Sequence, residues 1–243
     1  MESVYRKQYI ITPSMVDRFR RLRPSCLLTF AQEVAGEHFG TFGIDLISPD
    51  QKHLFWAVIR NRVQITRLPT DSETITVETW PLPTTRSAFP RSTVAYDEAG
   101  NEIFRSISLW VLMDVESRAM VRPDKTGVDV PGLLRGNELA APGSIFPKPL
   151  DLHIIRNVGY SELDCNGHVN NTRYLDWIAD LLPSAFHKEH PVKEFTVCYL
   201  SEVLEGQQLD LNWQLMEGPS LRVDAHRESA EGDRVFSAQV LFE

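Results

Sequence analysis

The chain has little cysteine, no long hydrophobic run and no surplus of positive charge. Each shortage removes a class of protein. Three cysteines, Cys26, Cys165 and Cys198, are scattered through 243 residues. An odd number cannot pair completely and no two have the spacing of zinc ligands, so a disulfide framework is excluded and a reducing compartment is expected. No stretch approaches the ~18 consecutive apolar residues of a bilayer-spanning helix, so no membrane insertion is expected. The opening MESVYRKQYII has neither an apolar core nor an Arg/Ser-rich amphipathic pattern, and a cytoplasmic protein is expected. A net charge of −8 and a pI of about 5.4 argue against a nucleic-acid partner.

What is present reads as a folded globular chain. Hydrophobic residues make up 42% and charged residues 24%, and the length suits one large or two small domains. Five prolines (Pro123, Pro131, Pro142, Pro147 and Pro149) and four glycines crowd residues 123–149. Such a cluster without periodicity reads as a linker. The expected division is 1–130, a Pro/Gly-rich linker 131–149, and 150–243.

The two halves look alike. Leu27, Phe30, Ala31, Val34 and Ala35 form an amphipathic stripe, and Tyr174, Trp177, Ile178, Leu181 and Leu182 repeat it 147 residues on. Ser14 and Asp17 match Ser161 and Asp164 at the same offset. Strand-like runs follow each helix: 53–67, 74–82 and 91–115 in the first half, then 194–204, 208–216, 221–229 and 234–242. Turns are expected at Asp97–Gly100, Glu217–Pro219 and Glu231–Asp233. The expected class is α+β, with two antiparallel sheets each wrapped around a central long helix.

One segment departs from ordinary core and surface, Tyr160-Ser-Glu-Leu-Asp-Cys-Asn-Gly-His-Val-Asn-Asn-Thr-Arg-Tyr174. Asp164, Asn166 and His168 fall at alternate positions and share a side if the segment is extended. Asn170 or Asn171 can cap the following helix, whose free N–H groups would suit an oxyanion. Asp, Asn and Gly are also common before helices for turn and capping reasons alone. The first half is an internal control: Asp17-Arg-Phe-Arg-Arg-Leu-Arg23 keeps the acid and discards the Asn and His. Asn166 and His168 are therefore read as functional, with a structural share for Asp164. Cys165 as a nucleophile activated by His168 is a weaker alternative, because residues three apart on an extended segment face opposite ways. His187-x-x-His190 lacks an acidic ligand motif and reads as a solvated loop. The five tryptophans read mainly as core. Arg18, Arg20, Arg21, Arg23, Arg60, Arg62 and Arg67 read as a solvated face or as a docking patch for an acidic partner.

Leu163-Asp-Cys-Asn-Gly-His-Val-Asn-Asn-Thr-Arg-Tyr174 with Trp177 resembles the D-x-N-x-H-V-N-N-x-x-Y signature of the acyl-acyl carrier protein thioesterases. Glu78-Thr-Trp-Pro81 and Ser108-Leu-Trp-Val-Leu-Met-Asp114 resemble segments of the same family's first half. The resemblance implies a double hotdog fold with the acyl pocket on the N-terminal side. It implies hydrolysis of a fatty acyl thioester on acyl carrier protein, ending fatty acid synthesis, without metal or cofactor. It also implies that Glu202 joins Asp164, Asn166 and His168 as a catalytic residue, on the strand after the second helix. The plant members have a Cys directly after that glutamate; here the position is Val203. The plastid leader of the plant members has no counterpart in the opening residues, so a bacterial-type member is expected. The rival readings are an acyl-CoA thioesterase, a non-catalytic acyl-binding protein and a dehydratase, all of the same fold. A homodimer is compatible with the repeat but not required by it.

Overall fold

The computed structural model describes residues 3–41, 54–228 and 233–243. Two compact units, Met1–Pro142 and Gly143–Glu243, make up the chain. Both are built from antiparallel strands with few helices. The first contains β1 (Tyr5–Ile10), α1 (Pro24–Thr41), β2 (Leu54–Ile65), β3 (Thr74–Pro81), β4 (Phe89–Tyr96), β5 (Glu102–Asp114), β6 (Met120–Val121) and α2 (Pro123–Thr126). The second contains β7 (Leu152–Asn157), α3 (Arg173–Asp180), α4 (Ser184–Glu189), β8 (Val192–Tyr199), β9 (Gln208–Met216), β10 (Ser220–Arg227) and β11 (Arg234–Phe242).

In the first unit the strands run in the order β1-β3-β4-β5-β2, with β6 short against β5. Helix α1 opens on Pro24, whose missing N–H costs nothing in a first turn. It buries Leu27, Phe30, Val34, Ala35 and Phe39, chiefly against β3 and β1. Tyr9 and Phe30 meet at 4.3 Å. The β4–β5 hairpin closes at the expected turn, where Gly100 takes φ +83° and the Asp97 carboxylate accepts the N–H groups of Ala99 and Asn101.

In the second unit the order is β8-β11-β10-β9-β7. Gly218 at φ +70° turns β9 into β10, as expected. Most of the expected Glu231–Asp233 turn, like His53, lies outside the described residues. The helix departs from expectation. Helix α3 has eight residues, starts at Arg173 and ends at Asp180, because Pro183 cannot continue it. The chain then turns and forms α4. Thr172, not Asn170 or Asn171, is its N-cap residue. Within α3, Tyr174 and Trp177 pack against Phe236 of β11 at 4.7 and 6.4 Å.

Residues 127–150 contain no helix or strand, yet arginines pin them to the units. Arg60, Arg62 and Arg105 donate to the carbonyls of Pro142, Ala140 and Asn137. Arg222 and Arg234 donate to those of Phe146 and Ile145. At Gly132 the chain passes so close to Pro83 that a Cβ would stand 2.4 Å from its Cα, and Leu133 N–H reaches the Pro81 carbonyl at 2.8 Å. Among the described residues no helix is long and apolar enough to cross a membrane.

Candidate active site

The loop between the single-turn helix Tyr160–Glu162 and α3 is built around one carboxylate. Oδ1 of Asp164 accepts the backbone N–H groups of Asn166 at 2.8 Å and His168 at 3.3 Å. The Asp164 N–H donates to the His168 carbonyl at 2.8 Å, and the Gly167 N–H to the Asp164 carbonyl at 3.1 Å. Gly167 takes φ +79°, the left-handed position the tight turn needs. Asp164 thus fixes the backbone that carries Asn166 and His168. The Asn166 side chain is exposed, and His168 is half-buried.

Glu202 reaches this loop through main-chain pairing. Val169 N–H donates to the Val203 carbonyl at 2.8 Å, and His168 bridges Leu204. This register makes His168 and Glu202 diagonal neighbours on one face. Their side chains meet with His168 Nε2 at 3.2 Å from Glu202 Oε2. Glu202 itself lies beyond the end of β8, in irregular chain just after a bend at Ser201, so the expectation that it is a strand residue is corrected. Arg227 of β10 holds that bend by donating to the Glu202 carbonyl and, at 3.0 Å, to Ser201 Oγ. Asn166 makes no hydrogen bond to His168 or Glu202 side chains; it shares their loop only.

The first unit contains the same loop. Asp17 Oδ1 accepts the N–H groups of Phe19 at 2.7 Å and Arg21 at 3.0 Å. The Asp17 N–H donates to the Arg21 carbonyl, and the Arg20 N–H to the Asp17 carbonyl. Arg20, at φ +63°, stands where the second unit has Gly167. Leu22 N–H reaches the Pro69 carbonyl as Val169 N–H reaches that of Val203. Phe19, Arg21 and Leu68 therefore occupy the places of Asn166, His168 and Glu202.

Behind the loop, Glu162 gathers Trp177 Nε1 at 2.6 Å, Arg156 at 2.5 Å and the Gly159 N–H at 2.8 Å. Burial alone would raise the Glu162 pKa, but these three donors outweigh it and hold the carboxyl below its usual range. The Arg156 guanidinium lies 4.8 Å over the Trp177 ring. Tyr174 is buried, which pushes its phenol well above the ordinary value, and Asp164 adds to the shift. Tyr199 donates to the Asn171 carbonyl at 2.9 Å. Sequence reasoning missed Glu162, Arg156, Tyr199 and Arg227 as supports, since side-chain bonds such as Arg156–Glu162, Tyr199–Asn171 and Arg227–Ser201 leave no periodic pattern in the sequence.

Four other expectations resolve locally. The Thr172 and Arg173 N–H groups are taken by Asn170, through its side chain and its carbonyl. They do not stand free for an oxyanion. Cys165 is exposed on the loop. Five of the seven arginines singled out in the first half are engaged within the protein, while Arg18 and Arg23 are exposed. Arg20 pairs with Asp71, Arg21 with Asp17, and Arg67 with Glu73 and Asp97; Arg60 and Arg62 hold the carbonyls of Pro142 and Ala140. His187 and His190 each bond a backbone carbonyl, of Ala179 and Glu243.

Comparison with known proteins gives a consistent picture. Residues 2–126 match the acyl-ACP thioesterase N-terminal domain and residues 153–243 the acyl-ACP thioesterase C-terminal domain. The chain is 28% identical over 178 residues to a palmitoyl-acyl carrier protein thioesterase of Gossypium hirsutum, covering 69% of this chain and 42% of that protein. It is 26% identical over 225 residues to oleoyl-acyl carrier protein thioesterase 2 of Arabidopsis thaliana, covering 85% and 61%. The chain thus spans about half the length of the curated relatives it matches. Among solved structures, an acyl-ACP thioesterase from Bacteroides thetaiotaomicron superposes with a TM-score of 0.89 at 22% identity, over 99% of this chain and 98% of that one. The 12:0-ACP thioesterase from Umbellularia californica superposes at 0.84 and 22% identity, over 100% and 98%. At these identities the structures establish a shared fold.

Proposed function

The chain belongs to the acyl-ACP thioesterase family, and on that premise we propose that it hydrolyses the thioester of a fatty acyl-acyl carrier protein to free fatty acid and carrier, so ending chain synthesis. The observation that carries this reading is the His168–Glu202 contact at 3.2 Å on a loop whose structural copy in the first unit holds Arg21 and Leu68. The loop folds without those chemical groups, so their presence in one copy is not a demand of the fold. Glu202 acts as general base or orients the attacking water. His168 donates from Nε2 to Glu202 and holds the water or thioester in place. Water oxygen bonds to the carbonyl carbon, its proton passes to Glu202, the C–S bond breaks as the tetrahedral intermediate collapses, and the departing thiolate takes that proton from Glu202, which regenerates the base. The exposed Asn166 amide binds the carbonyl oxygen as it gains charge, since two N–H groups at the start of α3 are already committed. Asp164 is a positioning residue that holds the backbone of both.

The arrangement that accompanies this chemistry is a double hotdog, with each unit's strands curved over its own helix and the acyl chain held on the N-terminal side. Packing of α1 on β3 and of α3 on Phe236 supports it. Thiol release by the purified protein from matched acyl-carrier and acyl-CoA esters tests the reading. Release from carrier esters, with weak use of CoA esters, is expected. Tight acyl binding with no release would make the protein an acyl binder, preferential use of CoA esters would make it an acyl-CoA thioesterase, and an enoyl thioester product would make it a dehydratase.

A further inference from the structure

The first unit buries an arginine that no acid among the described residues compensates. Arg91 of β4 is 1% exposed. Its Nη1 donates to Thr79 Oγ1 at 3.3 Å and lies 3.1 Å from His38 Nδ1, which therefore accepts as a neutral imidazole. Its Nε and Nη2 have no partner. The neighbouring acceptor is already in use, because Thr79 Oγ1 donates to the Ser92 carbonyl and accepts from Thr93 Oγ1 as well. Glu78 lies on the opposite face of β3 and is engaged by Arg6 and Arg135. The second unit shows the usual solution: its buried Arg222 is paired with Asp224 at 3.0 Å. A buried guanidinium without an acid is costly unless something else supplies oxygen. Burial pushes Arg91 down to about 9.

Its surroundings describe what that something would be. The guanidinium stacks 4.1 Å from the Phe39 ring centre. Phe39 in turn stacks on Trp56 at 5.0 Å, and Trp56 meets Phe89 edge-on at 4.9 Å. Trp110 completes this apolar cluster. On the same face of the sheet, the buried Thr79, Thr93 and Ser106 are cross-strand partners on β3, β4 and β5, and the buried Ser108 lies opposite Arg91 itself. A wholly hydrocarbon ligand would need no such polar row. An apolar chain bearing an oxygen would meet both: aromatic rings along the chain, and a two-pronged donor at the oxygen.

We propose that Arg91 is a specificity residue that receives a hydrogen-bond-accepting oxygen on the acyl chain, so that the preferred substrates are oxygenated acyl thioesters, bearing a hydroxyl, oxo or carboxyl group away from the thioester. This rests on the reading that the ligand is an acyl thioester with its chain in the first unit. The test compares kcat/KM of the full chain on carrier esters of one length: unsubstituted, hydroxy-, oxo- and terminal carboxy-acyl. The expected result is at least a tenfold preference for one oxygenated ester, falling toward one in Arg91→Met and only partly restored in Arg91→Lys, which lacks the fork. Equal rates in the wild type, or a uniform loss in Arg91→Met that leaves the ratio unchanged, would overturn the proposal, the latter by assigning Arg91 to packing or to the pantetheine arm. Should Arg91→Met fail to fold, wild-type binding decides. Free hydroxy, oxo or dicarboxylic acids should bind at least tenfold more tightly than the plain fatty acid of that length by calorimetry, and equal affinities would overturn the proposal. Hydrolysis without preference removes this inference and leaves the thioesterase reading; selective binding without hydrolysis does the reverse.

Discussion

At the scale of single residues, the two aspartates separate structure from chemistry. Asp17 and Asp164 hold equivalent turns by equivalent hydrogen bonds. Replacing either with Ala should destabilise its unit by about 1–2 kcal/mol, the cost of stranding two backbone donors. Asp164→Ala alone should also lower kcat, because only that turn carries Asn166 and His168. Urea melts with parallel rates check this, and equal loss of kcat in both variants would contradict it. Glu162 gives a pH-dependent prediction. Its pKa is depressed on folding, so its contribution is present above the unfolded carboxyl value of about 4.3 and is lost as pH falls through the lower folded value. Glu162→Gln should therefore be less stable than wild type near neutrality, with the gap narrowing below about pH 4.3. Melting curves across that range test it; a gap that widened in acid would contradict it. The Asp164 turn was legible only in part: the recurrence of the acid at Asp17 gave Asp164 a structural share, but alternate positions suggested an extended segment where Gly167 at φ +79° makes a tight turn. Glu202 was not legible: it sits in irregular chain with no local pattern, and only the bridge between residues 168 and 204 brings it to His168. Without the family resemblance nothing marked it.

At the scale of elements, β11 coincided with its predicted run, Arg234–Phe242, because β-branched and aromatic residues (Val235, Phe236, Val240, Phe242) mark it as strand. The α3 stripe predicted the right buried face, since Tyr174, Trp177 and Ile178 are all inward. It overran the helix, because Leu181 and Leu182 keep the period while Pro183 ends the hydrogen bonding. Trp177 is 1% exposed and also supplies the donor that Glu162 accepts. Trp177→Ala should cost about 3–5 kcal/mol, measured by chemical denaturation; unchanged stability would mean that α3 does not anchor the unit. The irregular 127–150 segment was legible as irregular from its prolines and glycines, but not as a strap, since arginine-to-carbonyl bonds leave no sequence pattern. Gly132 is its tightest point. A methyl there meets the Pro83 backbone, so Gly132→Ala should lower the melting temperature clearly, while Gly136→Ala, with open space around its Cβ position but a left-handed φ, should cost only about 1–2 kcal/mol. Equal, negligible effects would place the strap elsewhere.

At the scale of the whole molecule, the duplication was visible as a faint 147-residue offset in apolar residues and two small polar ones. Its depth was not, because hydrogen bonds conserve backbone geometry while side chains drift. β1 and β7, the single-turn helices Pro13–Met15 and Tyr160–Glu162, and the two aspartate loops all recur at that offset. Duplication followed by divergence explains how one loop can carry reactive groups and the other Phe19, Arg21 and Leu68 at little cost to the fold. The central claim is that His168 and Glu202 form one catalytic unit on the diverged copy. Thiol release from an acyl-carrier ester by His168→Ala, Glu202→Gln and the double variant tests it most directly. Each single change should lower kcat about 10²–10⁴-fold with acyl binding largely kept, and the double variant should fall little further, because groups that act together are not additive. Near-normal turnover in Glu202→Gln, or losses that multiply in the double variant, would contradict it.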